Sequence, residues 1–125
     1  VGRDSASGTR EFFFEKVLNK EDFTKFMLEK NSNGAVQQYV SQTPTAIGYV
    51  GMGFEDGVKV LEIVGADGKT EKPSVATVKS GTYPLSRELY FVTNGEPTGL
   101  AKEFLDFVLS PEGQKIVEEK GFVGI

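Results

Sequence analysis

The stretch Gly2–Glu11, "GRDSASGTRE", decides how the rest of the chain is read. From Ser7 onward the pattern is helical, with Phe13, Phe14, Val17 and Leu18 at i+3/i+4 spacing, so Ser-Gly-Thr stands at a helix start. A helix start carries unpaired N–H groups and partial positive charge. An anion placed there takes several donors at once. Gly8 lacks a Cβ and permits close approach, and Ser7 and Thr9 add hydroxyl donors. Arg3, just upstream, can fork two N–H groups onto two oxygens of one anion. Arg3, Ser7, Gly8 and Thr9 therefore predict a cradle for a tetrahedral oxyanion, phosphate above all. The same spacing also fits an ordinary N-cap by Ser7 or Thr9, a glycine turn and a surface arginine, and spacing by itself does not choose between them. Asp4 reads as a turn residue or a partner of an arginine; Glu11 fits either reading.

Magnitudes bound what such a cradle can do. Hydrogen bonds to a charged group contribute about 1.5–3 kcal/mol each, and a favourable helix terminus up to about 2 kcal/mol. Three or four donors approach the about 8 kcal/mol of a micromolar complex only before association costs are subtracted. Half a pocket of this kind binds weakly, and its other half is expected outside this chain. A control lies within the sequence. Ser80-Gly81-Thr82 repeats the tripeptide but leads into Tyr83-Pro84, so it reads as a loop without a helix terminus behind it.

Composition narrows the chemistry. The 125 residues, 38% hydrophobic and 26% charged, have the size and balance of a folded globular domain. A net charge of −4 argues against nucleic acid or an anionic membrane as partner, since both want a basic face. With no cysteine and no histidine there is no thiol nucleophile, no Cys/His zinc site and no Ser-His-Asp triad, and no metal or cofactor is implied. No apolar run approaches membrane-spanning length and no signal peptide is visible. Val1 stands where an initiator methionine would, which fits a trimmed or partial chain.

The remaining pattern reads as α/β. Glu21–Lys30 predicts a second helix with Phe23, Phe26 and Met27 on one face, and Val36, Tyr39 and Val40 a third with an asparagine N-cap, ending before Pro44. "TAIGYVGMGF" (45–54) reads as a buried strand and turn, and Asp67-Gly68 as the turn of a hairpin whose return strand Pro73 weakens. Residues 88–93 read as a strand, then an amphipathic helix with Leu100, Phe104, Leu105 and Val108 inward. Ser110-Pro111 restarts a helix with Ile116 and Val117 facing the core. Phe12-Phe13-Phe14 reads as core and not as a ligand box, and Gly51-Met52-Gly53-Phe54 lacks what a dinucleotide fingerprint needs. Lys59, Lys69, Lys72 and Lys79 alternate with acids as a solvated surface, and Tyr49 reads as a buried strand tyrosine that could approach the cleft.

"GRDSASGTREFF" resembles the Arg-x-x-x-Ser-Gly-Thr motif of the extracytoplasmic phosphate-binding proteins that feed ABC phosphate transporters, a periplasmic-binding-protein-like fold of type II. "NGAVQQYVSQTPTAIGYVGM", "YPLSRELYFVTNGEP" and "AKEFLDFVLSPEGQKIVEEKGFVGI" resemble the same family in the same order, and Gly124 departs from the proline usual in that ending. The resemblance implies two α/β lobes, each a mixed sheet flanked by helices, closing over phosphate. It puts Arg3, Ser7, Gly8 and Thr9 on phosphate oxygens, and it places a second helix terminus and a proton-accepting aspartate upstream, outside this chain. It implies residues 1–82 as the partial second lobe and residues 83–125 as the hinge crossing and return segment of the first. Implied partners are inorganic phosphate and ABC permease subunits at the outer face of the membrane. Helices returning to an absent sheet also imply a homodimer or domain swap. Two other functions remain: a phosphatase-like enzyme using the same cradle, which would need a nucleophile or metal cluster, and a partner-binding sensor domain.

Overall fold

The structure, a computed structural model, describes residues 1–125, which divide into two compact units, Val1–Glu62 and Ile63–Ile125. In the first unit, strand β1 (Gly2–Arg3) leads through a turn into helix α1 (Gly8–Lys16). Strand β2 (Glu29–Lys30) returns parallel to β1, with Gly2 opposite Glu29 and Arg3 opposite Lys30. Helix α2 (Asn33–Gln42) follows, and a single 3₁₀ turn, Met52–Phe54, closes the unit. Core packing is concentrated under α2, where Val36 is 1% exposed. Beside it, an aromatic layer stacks Phe13 on Tyr49 at 4.3 Å between centroids, with Phe23 at 6.2 Å from both Phe13 and Phe14. Gly2 is buried, and a Cβ there would meet the Tyr49 hydroxyl at 2.7 Å and Met27 Sδ at 2.8 Å. Only a glycine lets these side chains close over β1.

The helix expected over Glu21–Lys30 does not form. Asn19 and Lys20 adopt left-handed φ angles of 50° and 66°, which end α1 and turn the chain. The Leu28 carbonyl then accepts from the Gly2 amide (2.9 Å), and the Lys30 carbonyl accepts from Asp4 (3.1 Å). Satisfying the backbone of β1 outweighs a weak local helix preference. Phe26, assigned to the inner face of that helix, is 92% exposed. The third helix forms as α2, capped by Ser32 rather than by an asparagine. Residues 46–50, expected as a buried strand, join no strand ladder; the Val1 terminal amine donates to the Ile47 carbonyl.

In the second unit, β3 (Ile63–Val64) and β4 (Thr70–Glu71) form the antiparallel hairpin expected at Asp67-Gly68. Parallel and antiparallel pairing are thus both present, in separate two-stranded sheets, and the fold is α/β. A short helix α3 (Val75–Lys79), read from sequence as a return strand, starts at Ser74 with a reciprocal cap between Ser74 and Thr77. Residues 88–93, expected as a strand, join no ladder and are exposed. Helices α4 (Gly99–Leu109) and α5 (Pro111–Glu119) meet at Ser110, whose hydroxyl donates to the Phe107 carbonyl and accepts from the Gly113 amide. The restart is as expected, but the inward stripe is only partly covered: Leu105 and Val108 are half-buried, while Leu100 is 81% and Phe104 55% exposed. Ile116 is exposed too. No helix is long and apolar enough to cross a membrane.

Candidate anion-binding site

Ser7 is the N-cap of α1, with extended backbone and a hydroxyl that accepts from the Arg10 amide at 3.2 Å. It is 6% exposed, the most buried polar residue of the chain. Its own amide donates to the Asp4 carbonyl (3.3 Å), and its carbonyl accepts from Glu11 (3.1 Å). The amides of Gly8 and Thr9 donate to no group of the chain. These two N–H groups, at the positive end of a nine-residue helix, are the donors the sequence pattern anticipates. Gly8 is exposed and Thr9 half-buried, so both are open to a ligand.

Arg3 is held at nearly every polar handle. Its amide donates to the Tyr49 hydroxyl (3.1 Å), and its carbonyl accepts from Arg10 Nη1 at 2.7 Å. Its guanidinium reaches Asn33 Oδ1 (3.3 Å) and the Asn31 carbonyl (3.2 Å), both at the start of α2. Arg3 Nε is buried with no partner. Both partners of this head are neutral acceptors. Arg10 differs. Its Nη1 also meets Glu29 Oε1 at 2.7 Å, and its guanidinium carbon lies 4.4 Å from the centre of the Phe23 ring. Arg10 is thus a neutralised strut joining α1, β1 and β2, while Arg3 keeps a free positive field.

Asp4 Oδ1 is the other buried side-chain atom without a partner. A groove of about 750 Å³ between α1 and the turn before β2 is lined by Arg10, Phe14, Phe23, Met27 and Glu29 among others. None of Arg3, Ser7, Gly8 or Thr9 contributes to it.

The structure therefore places Ser7, Gly8 and Thr9 together at one helix terminus and ties Arg3 to the same helix through Arg10. Sequence reasoning missed Arg10 and Asn33. Arg10 directly follows Thr9, but its partners are distant in sequence, and no local pattern announces them. Tyr49, read as a buried strand tyrosine, is half-buried and lies outside any strand; its ring packs on Phe13 and its hydroxyl accepts from the Arg3 amide.

A family model described as a PBP superfamily domain matches residues 1–112. The phosphate-binding protein PstS of Bacillus subtilis is 37% identical over 128 residues, an overlap of 100% of this chain and 41% of that protein. Among solved structures, the phosphate-binding protein of a phosphate ABC transporter from Streptococcus pneumoniae superposes with a TM-score of 0.79 at 34% identity, covering 98% of this chain and 49% of that one. A putative phosphate ABC transporter substrate-binding protein from Clostridium perfringens, solved with bound phosphate, gives a TM-score of 0.76 at 30% identity over 99% of this chain and 50% of that one. The chain spans about half the length of the curated relatives it matches.

Proposed function

From the premise that the chain belongs to the PBP superfamily, we propose that it binds inorganic phosphate reversibly, as part of a solute-binding protein that serves an ABC-type phosphate importer. The observation that carries this reading is the pair of unspent amides, Gly8 and Thr9, at the start of α1, and an upstream arginine whose guanidinium is bonded only to neutral groups supports it. Relatives named as phosphate-binding proteins, and a similar structure solved with phosphate bound, supply the ligand's identity. Arg3, Ser7, Gly8 and Thr9 are the ligand-binding residues of this reading. Arg3 forks onto two oxygens, the helix amides take a third, and the Ser7 and Thr9 hydroxyls donate alongside.

The protein acts by capture and release, without covalent chemistry, outside the cytoplasm, and its whole-protein partner is a membrane permease. The boundary between the two lobes lies at Thr82–Tyr83: residues 1–82 belong to the phosphate-binding lobe and residues 83–125 to the crossing and return segment. That assignment is supported by the end of α3 at its cap Ser80 and by the Thr82 amide folded back on the Thr77 carbonyl, with Tyr83-Pro84 next. A second copy of the chain covers the exposed face of Leu100, Phe104 and Ile116, giving a symmetric or swapped dimer. Light scattering at high concentration should report twice the chain mass; a single-chain mass would overturn the dimer.

Calorimetric titration with phosphate tests the function. Saturable uptake by the chain that is lost in Arg3→Ala supports it; no heat above dilution, or turnover of a generic phosphoester, contradicts it. Sulfate should compete well, because telling the two dianions apart takes an acceptor for the phosphate proton and this cradle offers donors. Strong exclusion of sulfate would contradict that part.

A further inference from the structure

We propose that Asn33, at the first turn of α2, is a positioning residue that aims the Arg3 guanidinium while leaving its charge intact. This rests on the phosphate reading of the same site. A long arginine side chain samples many rotamers in the open and gives up that freedom when it grips a ligand. Here the head is already held, by Asn33 Oδ1 at 3.3 Å and by the Asn31 carbonyl at 3.2 Å. Those two bonds use two of the five N–H groups of a guanidinium. Two further donors on the terminal nitrogens remain, while the Nε–H is buried without a partner.

The chemistry of the acceptor matters as much as its position. A carboxylate in place of Asn33 would grip the head more firmly but would compete with an incoming anion and cancel the field that attracts it. Arg10 shows the alternative within the same unit: paired to Glu29 at 2.7 Å, it is a structural strut. An amide oxygen orients the guanidinium and leaves its charge available. Asn33 is therefore matched to a cation that must stay ready for an anion, and its partner segment reaches Arg3 across 30 residues of chain.

Two variants separate orientation from charge. In Asn33→Ala the head keeps its charge and only the Asn31 carbonyl as holder; in Asn33→Asp it keeps both holders and loses its field. Ser32 remains the cap in both, and alanine is a good helix former, so α2 is retained. The order of the Arg3 Nε–H is read by ¹H–¹⁵N heteronuclear NOE on the full chain without ligand, and affinity by titration with inorganic phosphate. Asn33→Ala should lower the NOE and weaken phosphate about fivefold, the worth of one hydrogen bond. Asn33→Asp should keep the NOE and weaken phosphate about tenfold at low salt, with the deficit shrinking as salt screens the added charge. An Arg3 Nε–H as rigid in Asn33→Ala as in the parent, or phosphate affinity equal in the two, overturns the positioning role and leaves the phosphate reading standing. A parent chain that takes up no phosphate, while Asn33→Ala still frees the Nε–H, overturns the phosphate reading and leaves the contact standing.

Discussion

Ser7-Gly8-Thr9 and Ser80-Gly81-Thr82 are the same tripeptide at opposite ends of a helix. At the first, Ser7 caps the start of α1, and the amides of Gly8 and Thr9 are left without partners. At the second, Ser80 caps the end of α3, and the next amides are spent on its last carbonyls: Gly81 on Val78 (3.0 Å), Thr82 on Thr77 (3.0 Å) and Tyr83 on Thr77 again (3.0 Å). Gly81 takes φ +72° to do so, the left-handed turn that closes many helices. One tripeptide therefore faces outward with free donors at the positive end of a dipole, and the other folds its donors back at the negative end. What surrounds the triplet, not the triplet itself, decides whether an anion has anywhere to go.

The comparison can be attacked from the binding side first. Arg3→Ala strips the first triplet of the cation that the second lacks, and removes charged hydrogen bonds worth about 1.5–3 kcal/mol each; phosphate affinity should fall by a factor on the order of 100. Calorimetry checks it, and a loss of less than about threefold would mean that the helix terminus acts alone. Exchanging the glycines comes next. Gly81→Ala forces a Cβ into the left-handed region and should cost about 1–2 kcal/mol in a urea melt, with phosphate binding unchanged. Gly8→Ala should do the reverse, leaving stability within about 0.5 kcal/mol because alanine suits a first helical turn, while obstructing the ligand's approach.

The serines give a smaller contrast. Ser7→Ala removes a buried N-cap and should destabilise by about 1 kcal/mol. Ser80→Ala removes only an exposed hydroxyl bonded to the Thr77 carbonyl, and should stay within about 0.5 kcal/mol of the parent in the same melt. The smallest effect is a pH dependence beyond the second triplet. Partial burial raises the Tyr83 phenol above its ordinary pKa of 10.0. The folded state thus keeps its proton to higher pH than the unfolded chain does. That contribution is present below pH 10, and it is lost as pH rises from there through the folded pKa. Tyr83→Phe should flatten the alkaline limb of a stability profile, and an unchanged limb would assign it to other groups.

How much of this was legible depends on distance along the chain. The start of α1, the turn at Asp67-Gly68 and the restart at Ser110-Pro111 are local events, in which a cap or turn residue sits beside what it acts on, and the sequence announces all three. The β1–β2 pair does not work that way: Glu29 and Lys30 become β2 because Gly2 and Arg3 need partners, and nothing within the stretch 21–30 says so. Residues 88–93 carry the composition of a strand but find no neighbour to pair with, so no ladder forms. For α3 the signal was present, since Ser74 and Thr77 cap each other, but valine and threonine within it read as strand formers. At the site, Arg3, Ser7, Gly8 and Thr9 could be named from one short motif. Arg10, Tyr49 and Asn33 could not be assigned to Arg3, because their contacts with it span 7, 46 and 30 positions and depend on the folded chain.

Amide chemical shifts during a phosphate titration of the ¹⁵N-labelled chain test the central claim most directly. The Gly8 and Thr9 cross-peaks should move and saturate together, while those of Gly81 and Thr82 stay where they began. Equal movement at both triplets, or stationary Gly8 and Thr9 peaks at saturating phosphate, would contradict the assignment of the first helix terminus as the anion cradle.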